Sequence, residues 1–503
     1  MVQWTEERGD AAARERLAAA VPGLVALLKE METPSADLPV SDDDQEVAAR
    51  ALFQLARSRR LRDVIREAGG LRPLTALLNH GPDSGAAETA AAALLNLVAG
   101  CATNREVLCL RVRGLNYLLR LLARCRWEPN AERDAAAARR RRVLEHACVL
   151  LDRLLVKTDA WTGLCKDAVR KEGGLAVVVA LLRCAVGATP PAPGEAMPRA
   201  VEALLSALSS LVAAHVHNRD ALLQADVVPL LTRLLPAASP SGDAAAATLA
   251  SVASNSDTAR ATVVAAGALP GLVALLHQPT EGAQRAAVTA LMVLTYNHPA
   301  HRDLVAQAGH AVPRLVELLS TVSTTSPLCE KLCWALSNLA QGSASTQLSL
   351  TRAGAAAALV RALDGDETTQ KAAAAALGHL LAGECRMEEL QAVVAADGLL
   401  PLLQLAAAPS GAPRNHAVKA LRHVGAMDPR YAAALHTLLA QARAALGAAG
   451  GAEDDGVPVR NGATAVGGGG LLGALAGLQV GLLPRPVRSG LRLSSPSSKL
   501  FQS

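Results

Sequence analysis

The 503-residue chain carries 50 Lys and Arg against 45 Asp and Glu, a formal net charge of +5 that is too small at this length to indicate nucleic acid. Hydrophobic residues make up 51% of it and aromatics only 2%, so its core is alanine and leucine, which pack helix on helix, and an all-α fold follows. Nine cysteines stand singly with no CxxC pair, which disfavours a disulfide framework or zinc knuckle and points to the cytoplasm, with the nucleus as a second compartment.

The first residues, MVQWTEERGDAAARER, are charged and lack the apolar block of a signal peptide. No stretch has the length and apolarity of a transmembrane span; LLGALAGLQVGLL at 471–483 is too short and too rich in glycine. Along the chain a phrase of a small turn residue followed by LxxLLxLL recurs. It begins at 22 (PGLVALL), 69, 113, 173, 226, 267 (GALPGLVALL), 309, 354 and 397. Steps between these starts run from 41 to 60 residues, and the two longest hold insertions near 124–142 and 187–198.

Each phrase leads, after a polar break, into a second apolar helical run: ALFQLA, ALLNLV, VLLDRLL, ALSSLV, TLASVA, ALMVLT, ALSNLA, ALGHLL and ALRHVG. A shorter helical piece ending in a small residue and glycine, as in ARATVVAAG and HRDLVAQAG, precedes the next phrase. Glycine there suits a left-handed C-terminal stop. One unit is a short helix and two longer ones, and the stretches AGALPGLVALL at 266–276 and CWALSNLAQG at 333–342 resemble the armadillo repeat.

That resemblance covers about residues 15–446 and implies a right-handed superhelical α-solenoid of about nine repeats, with the third helices lining a concave groove. A single unit cannot bury its apolar faces, so neighbours stack into one continuous core. Residues 1–446 are read as the solenoid. Residues 447–503, of Gly, Ala, Ser and Pro, are read as a disordered tail.

In armadillo proteins that bind extended peptides, an asparagine of the third helix hydrogen-bonds the guest backbone and a tryptophan one turn earlier forms a side-chain pocket. Trp334 and Asn338 match that pattern. The corresponding asparagine positions of the other third helices are Gln54, Asn96, Arg153, Ser210, Ser251, Val293, His379 and His423. One turn earlier stand, among others, Thr289 and Lys419. The resemblance therefore implies a partner-binding groove at Trp334, Asn338, Asn96, Gln54, Arg153, Thr289, His379 and His423. The alternative for Trp334 and Asn338 is that the indole fills a gap between third helices and the amide braces them.

A single Trp/Asn pair departs from nuclear import adaptors, which need several, and the chain is more similar to the vacuolar and junctional scaffolds. RRRR at 139–142 reads as a solvated helix extension, or a localisation or acidic-partner patch. HVH at 215–217 and HPAH at 298–301 have metal-like spacing without a further ligand set, and Cys329 and Cys333 read as small apolar fillers. No nucleophile elbow, phosphate loop or HExxH occurs. The expected function is a protein-interaction scaffold, not an enzyme, that takes an extended or helical segment of a protein partner. No cofactor, metal or nucleic acid is expected. The alternatives are an importin-like transport adaptor and a regulatory subunit of an enzyme assembly.

Overall fold

The computed structural model describes residues 11–30, 42–127, 134–155, 161–188, 199–213, 215–236, 240–384, 386–408 and 411–427, with isolated positions up to 440. Residues 447–503 and most of the second insertion lie outside the described residues. Among those described, every regular element is a helix, and no single helix is long and apolar enough to cross a membrane. The chain falls into two compact units, one ending at Arg314 and the other beginning at Leu315.

The third helices carry each unit, and we number them alone. In the first unit they are α1 (Asp42–Leu55), α2 (Gly85–Val98), α3 (Ala135–Leu155), α4 (Arg199–Val212), α5 (Pro240–Ala253) and α6 (Glu281–Thr295). In the second they are α7 (Pro327–Leu339), α8 (Glu367–Leu381) and α9 (Ala412–Met427). Within each unit consecutive third helices pack side by side. Their starts are written in the sequence: Ser84, Thr280, Ser326 and Asp366 each accept a hydrogen bond from a backbone N–H of the first turn, relieving donors that the helix leaves unpaired. The buried run Ala372–Ala376 lets α8 lie close to its neighbours, and each fully buried leucine along the stack contributes roughly 1.5–3 kcal/mol.

The ends of the third helices are closed by the short first helices. A buried residue one turn into the short helix, and the polar residue after it, turn back onto the last carbonyls of a third helix. Asn104 Nδ2 donates to Leu97 O (2.9 Å), Asn218 Nδ2 to Leu211 O (3.0 Å), and His301 Nδ1 lies 3.0 Å from Leu294 O. The following residue adds a second contact, from Arg62 to Ala56 O (2.8 Å), Lys166 to Ala213 O (2.9 Å), Arg219 to Ser254 O (2.9 Å) and Arg302 to Thr295 O (3.1 Å). Cations suit this place because the carbonyl end of a helix is its negative end. In the second unit Gln347 does the same, donating to Ala340 O (3.0 Å) and accepting from the N–H of Glu384 (2.9 Å).

The next short helix of that unit departs from the pattern. At the buried position stands Glu389, 1% exposed, which accepts from Thr351 Oγ1 at 2.6 Å. Burial raises its pKa above the ordinary glutamic value of 4.5.

Between the short helix and the second helix the chain reverses at a residue with positive φ. These are Gly69, Arg113, Gly173, Asp226, Gly267, Gly309, Gly354 and Asp397. The first phrase offers no such residue before Pro22, and there Ala11–Glu30 runs as one continuous helix through the proline rather than breaking into two. From Asn104 to Arg113 the chain is one residue longer than from Asn218 to Asp226. A π-helical turn, Val107–Arg111, takes up the extra residue, with Val112 N–H donating to Val107 O (3.1 Å). The first insertion extends α3 to 21 residues, and its RRRR run lies within that helix.

Arg113 is an exposed, non-glycine residue at φ 54°. Arg113→Gly is expected to raise the unfolding free energy by about 1 kcal/mol, read from the denaturant midpoint, since it removes a left-handed conformation that side chains resist. Arg302→Met keeps the aliphatic stem but removes the donor to Thr295 O, with His301 still at Leu294 O. It should lower stability by about 2 kcal/mol in the same assay, while loss of less than a few tenths would mean that the cap contributes nothing.

Candidate functional site

Ser326 and Pro327 start α7, and Leu328, Leu332, Ala335, Leu336 and Leu339 face inward. Cys329 and Cys333 are fully buried beside them, as apolar fillers would be. This arrangement leaves Trp334 partly exposed on the remaining face, whereas Asn338 is 7% exposed, so little of its amide is open to solvent. The indole does not stand alone. Lys371 Nζ on α8 lies 5.8 Å from its ring centroid, and the His416 imidazole on α9 meets it edge-on at 6.5 Å and 83°. Burial pushes the His416 pKa down, and the charges of Lys371 and Lys419 push it further the same way.

Three of the asparagine positions turn inward, along the stack. Asn96 Nδ2 donates to Phe53 O on the preceding third helix (3.3 Å), the Ser251 hydroxyl pairs with Ser209 (2.9 Å), and His379 Nδ1 meets both Ser337 Oγ (3.0 Å) and Gln341 Nε2 (3.2 Å). In all three rungs the partner belongs to the residue just before the asparagine position of the previous helix. Neighbouring third helices are therefore offset by one residue, and polar side chains here stitch them together. Thr289 spends its hydroxyl on Arg285 O of its own helix (2.7 Å). Gln54 and Arg153 are exposed, Gln54 accepting from Arg57 (3.4 Å), and His423 is partly buried on α9. Of the eight expected residues, Gln54, Asn96, Arg153 and Thr289 lie in the first unit and Trp334, Asn338, His379 and His423 in the second.

Sequence reasoning passed over the position two turns before the asparagine. In the first unit it holds Glu46, Glu88, Glu145, Glu202 and Asp243 on α1 to α5 and Arg285 on α6, and in the second Glu330, Lys371 and Asn415. Three of the carboxylates are neutralised locally: Glu46 by Arg50, Glu88 by Arg142 (2.6 Å) and Glu145 by Arg141 (3.2 Å). The RRRR run is the source of two of those partners, and Arg140 pairs with Asp83 (2.9 Å). Glu46, Arg50, Gln54, Glu88, Arg142 and His146 line a recess of about 350 Å³. Burial pushes the pKa of Glu202 and Asp243 up and that of His146 down.

The histidine pairs serve the scaffold. His298 stacks on His301 at 3.5 Å while His301 caps α6, and His215 Nε2 lies 3.5 Å from Asp167 Oδ1. Among the described residues no group of three or more candidate metal ligands converges.

The Armadillo/beta-catenin-like repeat family model matches residues 58–99 and 298–341, the second match containing Trp334 and Asn338. Among solved structures, an engineered protein aligns with 24% identity and a TM-score of 0.66, over 83% of this chain and 91% of its own. A designed armadillo repeat protein aligns at 26% identity and a TM-score of 0.43, over 50% of this chain and 99% of its own. No curated protein matches in sequence. The fold is an armadillo-repeat α-solenoid, a class used commonly as a protein-interaction scaffold. Residues 58–99 and 298–341 thus match the armadillo repeat in sequence, and most of the chain is similar to an engineered protein in fold.

If Asn96 is a brace, Asn96→Ala should cost about 1 kcal/mol of stability, measured by chemical denaturation with helicity retained. An unchanged midpoint would remove the brace.

Proposed function

We infer that the protein is a non-catalytic scaffold that holds an extended or helical segment of a protein partner against the third helices, with Trp334 at the centre of the contact. The observation that carries this reading is the partly exposed indole on α7, the side chain most able to anchor a partner, on a face otherwise made of short or polar residues. Asn338 lies buried one turn further along α7, and His379 ties the next helix to it through its rung to Ser337. Gln54, Arg153 and His423 would contribute polar contacts along the same helix row of their own units.

The reading as a carrier of lysine-rich cargo has less support, because the indole face that such a cargo lysine would seek already meets Lys371. The test is capture of bound proteins on the full chain and on the Trp334→Ala, Asn338→Ala double variant. Loss of an anchoring tryptophan costs at least about 2 kcal/mol, so partners should fall by more than about tenfold on the double variant while its helical content is kept. Equal recovery on both chains would overturn the reading.

A further inference from the structure

We propose that the second unit selects an acidic partner segment, one that places an apolar side chain on the Trp334 indole and carboxylates against Lys371 and Lys419. This rests on the scaffold reading above and assigns the charge of the guest.

The argument begins with the row two turns before the asparagine position. The first five third helices of the first unit place a carboxylate there and the sixth places Arg285; in the second unit α7 places Glu330 and α8 places Lys371. Its ammonium is spent on no carboxylate: among the described residues Lys371 forms no ion pair, and it lies 5.8 Å from the centroid of the indole. Lys419, exposed on α9 one turn before His423, likewise forms no ion pair. Glu330, one turn before Trp334 on α7, pairs with neither lysine. The indole therefore has Lys371 beside it, and its edge-on neighbour His416 feels both Lys371 and Lys419, neither of which is in an ion pair among the described residues. An exposed lysine such as Lys419 contributes little alone, but with the half-buried Lys371 at the aromatic surface it sets the sign of what can dock.

The same geometry disfavours a basic guest. A tryptophan face attracts a cation, and here the chain supplies that cation itself. A guest lysine would have to displace Lys371 or share the indole with it, against like-charge repulsion. The His416 environment agrees: burial lowers its pKa most, and the charges of Lys371 and Lys419 lower it further. His416 thus offers a neutral edge at the rim of the indole, able to donate one hydrogen bond to a carboxylate.

The probes are two short fluorescein-labelled peptides, a central phenylalanine flanked by glutamates and its counterpart flanked by lysines, titrated with the full chain and read by anisotropy. The glutamate peptide is expected to bind about tenfold or more tighter than the lysine peptide and to weaken as salt is added. Lys371→Glu should reverse that order, Lys371→Gln should give an intermediate loss, and Trp334→Ala should weaken both peptides, each variant checked for unchanged helicity. Equal or tighter binding of the lysine peptide to the unaltered chain, still lost in Trp334→Ala, would overturn the acidic assignment and leave the scaffold reading standing. Glutamate-peptide binding that ignores both Lys371→Glu and Trp334→Ala would overturn the placement. Binding of neither peptide would overturn the inference, and the scaffold reading would then stand or fall by the capture experiment on the double variant.

Discussion

The closing of third-helix carbonyl ends by short-helix side chains is the constraint on which each unit rests. A third helix in the middle of a stack ends in a corner crowded by the short helix that follows it and by neighbouring repeats, so its last carbonyls are cut off from water. They need donors, and the donors must come from the next element. Asn104, Asn218 and His301 reach back from the buried face of the short helix, and Arg62, Lys166, Arg219 and Arg302 reach from the position beside it. Some of these donors serve their own repeat and others the next: Arg302 returns to Thr295, whereas Arg219 reaches on to Ser254. Capping and inter-repeat packing are thereby the same set of bonds, which is why the short helix cannot be dispensed with.

From that closure follows the division of labour on the third helices. With their inner faces sealed by alanine and leucine and their ends capped, only one face remains for polar chemistry, and most of it is used laterally. The rungs from Asn96 to Phe53, Ser251 to Ser209 and His379 to Ser337 spend the positions that an extended guest would otherwise find open. In the first unit arginines further neutralise the carboxylates at Glu46, Glu88 and Glu145. Trp334 stands apart because no side chain covers it fully, and the two cationic helices beside it set the character of that face.

The repeat period and the order of short and long helices were legible in the residues, because each depends on neighbours within a few positions along the chain. Trp334 and Asn338 were legible as a pair for the same reason. Their unequal fates were not: four residues apart on a helix implies a shared face, but the one-residue offset between adjacent third helices puts Asn338 inside the stack and leaves Trp334 partly outside. The π-helical turn at Val107–Arg111 had a readable signal, the extra residue between Asn104 and Arg113, visible once the short helices are aligned on their buried position. Lys371 and His416 had none, since they lie on helices one and two repeats beyond the indole they meet.

The order of residues alone determined that this is an all-α stack of three-helix repeats, because helix periodicity and turn residues are local properties that each segment carries with it. Which side chains face one another was settled by packing: offset, tilt and the short alanines of α8 decide whether an amide braces a neighbour, whether an arginine caps or pairs, and that a lysine comes to rest over Trp334. Those distances arise between segments about forty or more residues apart, where no pattern within one repeat can encode them.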